Sequence, residues 1–407
     1  MLTETLSLTA ADKFYDRFQG DLSEYSSSFL NGLSGAALIS AYLGAHAGAK
    51  FVSLKEQLLT EVMERLRSGN LKLSTLHTFC SGLAGIVYVI DHLRENGLAD
   101  NRFDDDTLIQ LSDLFLERSL ADFKARNTDY LHGPLGVFLS LLPHTRIAQV
   151  ARTLDVIFDT YQKQLRTDEK GSRIFNSVLE GQLESGEYNM GLAHGMAGHA
   201  LLWTEAYRRG YRPEATRQLA YDLLQYIDTY ERSPIGEQSA THVFYPKSVI
   251  EDDPEAWAEQ KTETYVSRVG WCYGDLNVAF AQLKAGRTFE DEKLEQRGLA
   301  LARHVAGRLD AYDAQIDENI YFCHGSAGLV YMFGCLKKAY PGEAAFDRAC
   351  RHWAEHFRTT LETPRYEELT GYQNYSLLEG LPGAVLGTLS LESPGLLPAA
   401  DAFLLNL

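Results

Sequence analysis

Two kinds of stretch alternate along the chain. In one, a glycine pair opens a nearly unbroken apolar run: NGLSGAALISAYL from Asn31, SGLAGIVYVI from Ser81, HGPLGVFLSLL from His132 and HGMAGHALLW from His194. YGDLNVAFAQL from Tyr273, HGSAGLVYMF from His324 and EGLPGAVLGTL from Glu379 complete the series. Each run predicts a helix buried on most of its sides. In the other kind, charge gathers on one face at helical spacing, as in SLKEQLLTEVMERLRSGN and DEKLEQRGLALARHVAGRL. These predict an outer layer of half-exposed helices.

The first glycines are Gly32, Gly82, Gly133, Gly195, Gly274, Gly325 and Gly380, at spacings of 50, 51, 62, 79, 51 and 55. Six of the seven units keep a second glycine three residues on; the fifth has Asn277. Glycine in such a turn permits positive φ and close approach of neighbouring backbones. Seven inner and seven outer helices, stacked as pairs, predict an all-α fold, either a solenoid or a closed seven-fold α/α toroid, whose closure would remove the need for capping repeats. The chain is expected to be one domain over 1–407, with insertions at about 168–190 and 232–262 that gather on the binding face. The first insertion reads as extended or loop structure, and the second carries Pro, Gly and an acidic run.

Composition narrows the function. The chain of 407 residues has a formal net charge of −17, which argues against nucleic-acid or anionic-membrane binding. Cys80, Cys272, Cys323, Cys335 and Cys350 are too few and too scattered for a disulfide framework and are expected to be reduced. The N-terminal stretch is no signal peptide, and no window approaches the apolar length of a transmembrane span.

The repeat permits a comparison within the one chain. Two residues before the first glycine stand Leu30, Cys80, Leu131, Ala193, Cys272, Cys323 and Leu378; one before stand Asn31, Ser81, His132, His194, Tyr273, His324 and Glu379. Equivalent turns put all fourteen at one end of the inner ring, as a polar rim around a mouth. Cys272, Cys323 and His324 match the donor preference of zinc, and three protein ligands leave a position for substrate. The spacing is no finger spacing, but the register places Cys272 and Cys323 on neighbouring turns. Composition alone weighs a zinc site evenly against two buried thiols and a satisfied core histidine. Cys80, Cys335 and Cys350 read as packing, and His199 as structural.

Three motifs, WCYG at Trp271–Gly274, CHG at Cys323–Gly325 and GLAHGMAG at Gly191–Gly198, together resemble the lanthipeptide (lantibiotic) cyclases over nearly the whole chain. The resemblance implies one Zn²⁺ on Cys272, Cys323 and His324. It implies a stand-alone class I enzyme that adds peptide cysteine thiols to dehydroalanine or dehydrobutyrine, forming thioether rings. It also implies acid–base or electrostatic roles for His194, Asp129 in DYLHG, Arg268 in SRVGWC, and Tyr273. The implied partners are a dehydrated precursor peptide with its leader, a separate dehydratase and an export transporter. The implied location is cytoplasmic, with attachment to the inner face of the membrane through those partners.

The chemistry behind these roles can be argued directly. Few free thiols are ionised at neutral pH, and zinc coordination deprotonates them. Attack on the alkene builds enolate charge, which Arg268 or protonated His194 is placed to stabilise. His194 suits protonation of the carbon. Asp129 either orients His194 or takes the thiol proton. His132 and Glu379 share the rim. Two alternatives keep the scaffold: a zinc protein acting on glutathione or another thiol, and a non-catalytic peptide-binding toroid, for which a fourth protein ligand closing the zinc site would be the sign.

Overall fold

The computed structural model describes residues 2–179, 187–235, 239, 241–251, 255, 257–258, 264–265, 268–316, 320–361, 363, 375–392 and 396–407. The remaining positions, which include parts of both expected insertions, lie outside the described residues. Fourteen helices occur among the described residues. The inner seven are α2 (Leu33–Ala47), α4 (Leu83–Glu95), α6 (Pro134–Leu141), α8 (Met196–Arg208), α10 (Asp275–Phe289), α12 (Ser326–Ala339) and α14 (Leu381–Glu392). The outer seven are α1 (Leu2–Arg17), α3 (Ala49–Ser68), α5 (Asp105–Lys124), α7 (Ala148–Gln164), α9 (Pro213–Thr229), α11 (Glu292–Val305) and α13 (Ala344–Leu361). Every apolar run following a glycine pair becomes an inner helix, and both sampled amphipathic stretches become outer ones. The expected α/α toroid forms, and it closes where α14 packs on α1 and α2.

The outer helices obey their pattern. In α3, Phe51, Leu54, Leu58, Leu59 and Val62 are buried at helical spacing, while the opposite face is wet. Asp104 caps α5 by accepting from the Thr107 N–H, and Asp291 caps α11 by accepting from Leu294. The inner helices carry no such stripe; in α2 every residue from Leu33 to Leu43 is buried.

The glycine pair is explained by close approach more than by φ. A Cβ on Gly198 would collide with the carbonyl of Leu192, and one on Gly328 with that of Phe322. The second glycine thus lets the helix start press on the carbonyl three residues before the first glycine. The fifth turn solves this differently. Asn277 Nδ2 donates to the carbonyls of Gly270 and Trp271, both at 3.0 Å, so a side chain occupies the approach. There Gly274 has φ 113°, a conformation that a side chain rarely tolerates.

Main-chain hydrogen bonds run from turn to turn around the mouth. The N–H of Leu30 donates to Cys80, Cys80 to Leu131, Leu192 to Cys272, Trp271 to Cys323, Cys323 to Leu378 and Leu377 to Leu30. These bridge six of the seven steps. Among the described residues, no main-chain bond bridges the step from the His132 turn to the His194 turn. Beneath this hoop lies an apolar layer, three residues before each first glycine: Phe29, Phe79, Tyr130, Leu192, Trp271, Phe322 and Leu377, all buried.

The insertions add four short strands. β1 (Arg166–Asp168) pairs antiparallel with β2 (Gly171–Arg173). β3 (Glu187–Asn189) pairs antiparallel with β4 (Ser248–Ile250), with Tyr188 opposite Val249. The two insertions therefore meet beside the fourth and fifth turns. Among the described residues, no helix is long and apolar enough to cross a membrane.

Candidate functional site

The rim expected from the register exists. Asn31, His132, His194, Tyr273 and His324 are partly exposed and Glu379 is exposed, whereas Cys80, Leu131, Ala193, Cys272 and Cys323 one residue earlier are buried.

On the fifth and sixth turns, the ligand atoms of Cys272, Cys323 and His324 all lie within 4.8 Å of one another. Two buried thiols and a partly exposed imidazole fit zinc, and the cluster offers three protein ligands among the described residues. The Cys323 thiol beside Cys272 stabilises the Cys272 thiolate; burial opposes this, while His324 and Arg268 assist, so Cys272 lies well below the ordinary thiol range. Cys323 moves the other way, because it keeps its proton against that thiolate. Cys80, at the equivalent position on the second turn, has no imidazole partner. Its sulfur accepts from Asn31 and Ser81, and burial pushes its thiol up to about 11. Asp275 stands apart from the cluster. Its carboxylate accepts from the N–H groups of Phe244 and Tyr245 and faces Arg308 at 3.9 Å; burial raises it to about 6.

The third and fourth turns carry a second cluster. Asp129 is fully buried. Its Oδ1 accepts from the main-chain N–H groups of Leu131 and His132, each at 2.8 Å. Ser376 Oγ does the same for Leu378 and Glu379 at the equivalent place on the seventh turn. One Asp129 oxygen is thus an ordinary turn cap. The other, Oδ2, accepts from Asn176 Nδ2 at 2.7 Å and sits 2.8 Å from His194 Nδ1. Asn176 Nδ2 also reaches the His194 carbonyl at 3.0 Å. Side chains thereby bridge the step that main-chain bonds leave open.

Burial alone would lower the His194 ring, but the Asp129 charge and hydrogen bond outweigh it and raise its pKa above 6.5. Burial likewise opposes ionisation of Asp129, and the His194 charge and hydrogen bond, with His132, still hold it below 3.8. The His132 ring stacks on His194 with centroids 5.8 Å apart and planes 16° apart. Burial lowers the His132 pKa, and the Asp129 charge only partly offsets this.

Tyr273 and Arg268 lie by the cysteine cluster. The Tyr273 hydroxyl accepts from Asn189 Nδ2 at 2.9 Å, and burial raises its pKa to about 12. Arg268 is half-buried, its charge acts on both cysteines, and its Nε is buried with no hydrogen-bond partner among the described residues. His199 is structural, as expected: it is buried against Tyr161, whose hydroxyl lies 3.0 Å from His199 Nδ1, and burial lowers it to about 4.

Three asparagines escaped the sequence reading. Asn127 braces the Asp129 turn, accepting from the Asp129 N–H at 3.0 Å and donating to the His132 carbonyl at 2.9 Å. Asn189 and Asn176 hold Tyr273 and the Asp129–His194 pair, respectively. Asn127, Asn189 and Arg268 all stand six residues before a first glycine, so the register extended upstream would have found them. Asn176 lies in an insertion and has no repeat counterpart to flag it.

Known proteins share both the sequence pattern and the fold. The family described as lanthionine synthetase C-like protein matches residues 23–404. The nisin biosynthesis protein NisC of Lactococcus lactis subsp. lactis is 23% identical over 371 residues, covering 87% of this chain and 83% of that one. The solved structure of nisin cyclase aligns over 99% of this chain and 97% of that one, with a TM-score of 0.72 and 20% identity.

Proposed function

The chain belongs to the lanthionine synthetase C-like family, and from that premise we propose that it is a zinc-dependent lanthipeptide cyclase. Its substrate would be a dehydrated precursor peptide. The observation that carries this reading is the meeting, at one mouth, of a Cys–Cys–His cluster and a charged Asp–His pair.

Zinc held by Cys272, Cys323 and His324 would supply a substrate thiolate at neutral pH. In the reaction, the peptide sulfur bonds to the β-carbon of a dehydro residue, and the α-carbon gains a proton. Charge passes through the adjacent carbonyl oxygen on the way. Arg268, half-buried and with an unpartnered Nε, suits stabilisation of that oxygen. His194 suits delivery of the proton, since the Asp129 charge and hydrogen bond raise its pKa and favour the protonated ring. Asp129 is a positioning residue on this reading. It is fully buried and its two oxygens already serve four donors, so it has no capacity left to take a thiol proton. Tyr273, fixed by Asn189, borders the space between the clusters.

Ring closure conserves mass, so the test counts free thiols. Zinc-loaded protein is incubated with a dehydrated lanthipeptide precursor, and remaining cysteines are alkylated and weighed. Loss of alkylatable thiol with wild type, and retention with Cys272→Ala, is the expected result. Thiols that persist with zinc-loaded wild type would overturn the proposal.

A further inference from the structure

The axis of the toroid is filled by the chain's own residues 396–407, and their contacts are unevenly distributed. Leu404 and Leu405 are wholly buried there. The Phe403 carbonyl accepts from Trp271 Nε1 at 3.0 Å, and its ring packs edge-on to Trp271 at 5.9 Å. The same ring lies 4.4 Å from Phe322. The Tyr130 hydroxyl donates to the Ala402 carbonyl. Trp271 immediately precedes Cys272, Phe322 precedes Cys323, and Tyr130 follows Asp129. Of the layer beneath the mouth, the hydrogen bonds and ring contacts described for this segment fall on the three turns that carry the metal-type cysteines and the buried carboxylate.

The segment is also clamped along its length. Asp401 accepts from the Tyr88 hydroxyl at 2.8 Å. Asn406 accepts from Lys284 Nζ at 2.5 Å and donates to Glu205 at 3.1 Å, and Lys284 and Glu205 themselves pair at 3.2 Å in full burial. Tyr331 donates to the Pro398 carbonyl at 2.7 Å. Helices α4, α8, α10 and α12 therefore all grip it.

We propose that residues 396–407 form an internal strut that sets the spacing of the Asp129, Cys272 and Cys323 turns. The proposal rests on the reading of Cys272, Cys323 and His324 as a zinc site. The two cysteine turns are already tied, since the Trp271 N–H donates to the Cys323 carbonyl at 2.8 Å. The same carbonyl also accepts from the Cys272 N–H at 3.4 Å, so the main-chain tie between these two turns converges on one atom. Phe403, wedged under both, sets the tilt and so the separation of the two sulfurs. Groups hydrogen-bonded to metal ligands typically change metal affinity by roughly 10–100-fold when altered, and a wedge that orients the ligand turns should act in the same sense.

The test is zinc release to an excess of chelator, followed with a zinc-sensitive dye. Phe403→Ala and the milder Phe403→Leu are compared with Leu58→Ala, a buried position on outer helix α3 remote from the axis. Cobalt substitution gives a second readout, the sulfur-to-metal absorption band. The expected outcome is release about ten-fold or more faster in Phe403→Leu, faster still in Phe403→Ala, with a shifted cobalt band. Leu58→Ala should release at the wild-type rate even where its melting temperature falls as far. Phe403 variants that release zinc no faster than Leu58→Ala, with an unshifted band, would overturn the strut alone. A wild type that holds no zinc would overturn the metal site and the strut together.

Discussion

The step between the Cys272 and Cys323 turns and the step between the His132 and His194 turns do the same structural job by different means. The first is closed by main-chain hydrogen bonds, as are five others; the second is closed by Asp129, Asn176 and His194 side chains. A main-chain bond does not titrate and survives substitution of its own side chains. That leaves Cys272, Cys323 and His324 free to serve as ligands without being needed to hold the ring. A side-chain bridge titrates and is fragile, and it is the price of placing a charged imidazole in the wall. The hoop is most robust where a metal would bind and most sensitive to pH where a proton would move.

His194→Asn should produce the largest effect on that contrast. It removes the proposed proton donor and half the bridge while leaving the cysteine cluster intact. Ring closure should fall by about 10²–10⁴-fold, with zinc content by elemental mass spectrometry unchanged. Loss of zinc in this variant would mean that the two steps are not independent.

Asp129→Asn should come next. Removing the carboxylate lowers the His194 pKa, so the alkaline limb of the pH–rate profile should move to lower pH. The stability signs follow from the two shifts. The raised His194 contributes fully below its ordinary 6.5, and that contribution is lost as pH rises through its higher folded value. The lowered Asp129 contributes above 3.8 and loses its share as pH falls through its folded value. The stability gap between wild type and Asp129→Asn should thus be widest from about pH 4 to 6.5 and narrow on either side. Breaking such a buried pair costs about 3–5 kcal/mol at its widest, measurable by denaturant unfolding. A gap independent of pH would reduce Asp129 to its turn-capping oxygen.

His132→Gln should have the smallest effect. The stacked ring is worth about 0.5–1.5 kcal/mol, so ring closure should slow by roughly 2–10-fold, with metal content and fold retained. A larger loss would assign His132 chemistry of its own.

The repeat made most of this legible beforehand. Apolar runs after the repeat glycines marked seven inner helices because burial on all sides needs little else, and one register comparison placed the rim. It also separated Cys272 and Cys323, on neighbouring turns, from Cys80, which lies several repeats away. The meaning of the glycines was half visible: composition suggests φ, but a Cβ on the second glycine is excluded by a carbonyl contributed by the chain upstream. Asn277 looked like a lapse in the repeat and is a replacement, its amide satisfying the carbonyls of Gly270 and Trp271. The Asp129–His194 pair was suggested only by resemblance, because residues 65 positions apart meet only once the third and fourth turns pack side by side. Asn176 and the 396–407 segment were invisible. Neither repeats, and a segment filling an axis takes its role from surroundings that periodicity does not encode.

The pairing of β3 with β4 has a consequence for anyone recombining such chains. As additions outside the repeat the two insertions invite exchange, yet they are not separate modules. Asn189 sits at the end of β3, opposite Ser248 of β4, and its amide holds the Tyr273 hydroxyl beside Cys272. A graft of 168–190 without its partner around 248–250 would leave one strand edge unmatched and shift the donor that fixes Tyr273. The two insertions must travel together, as a single cassette cut from two distant places in the gene.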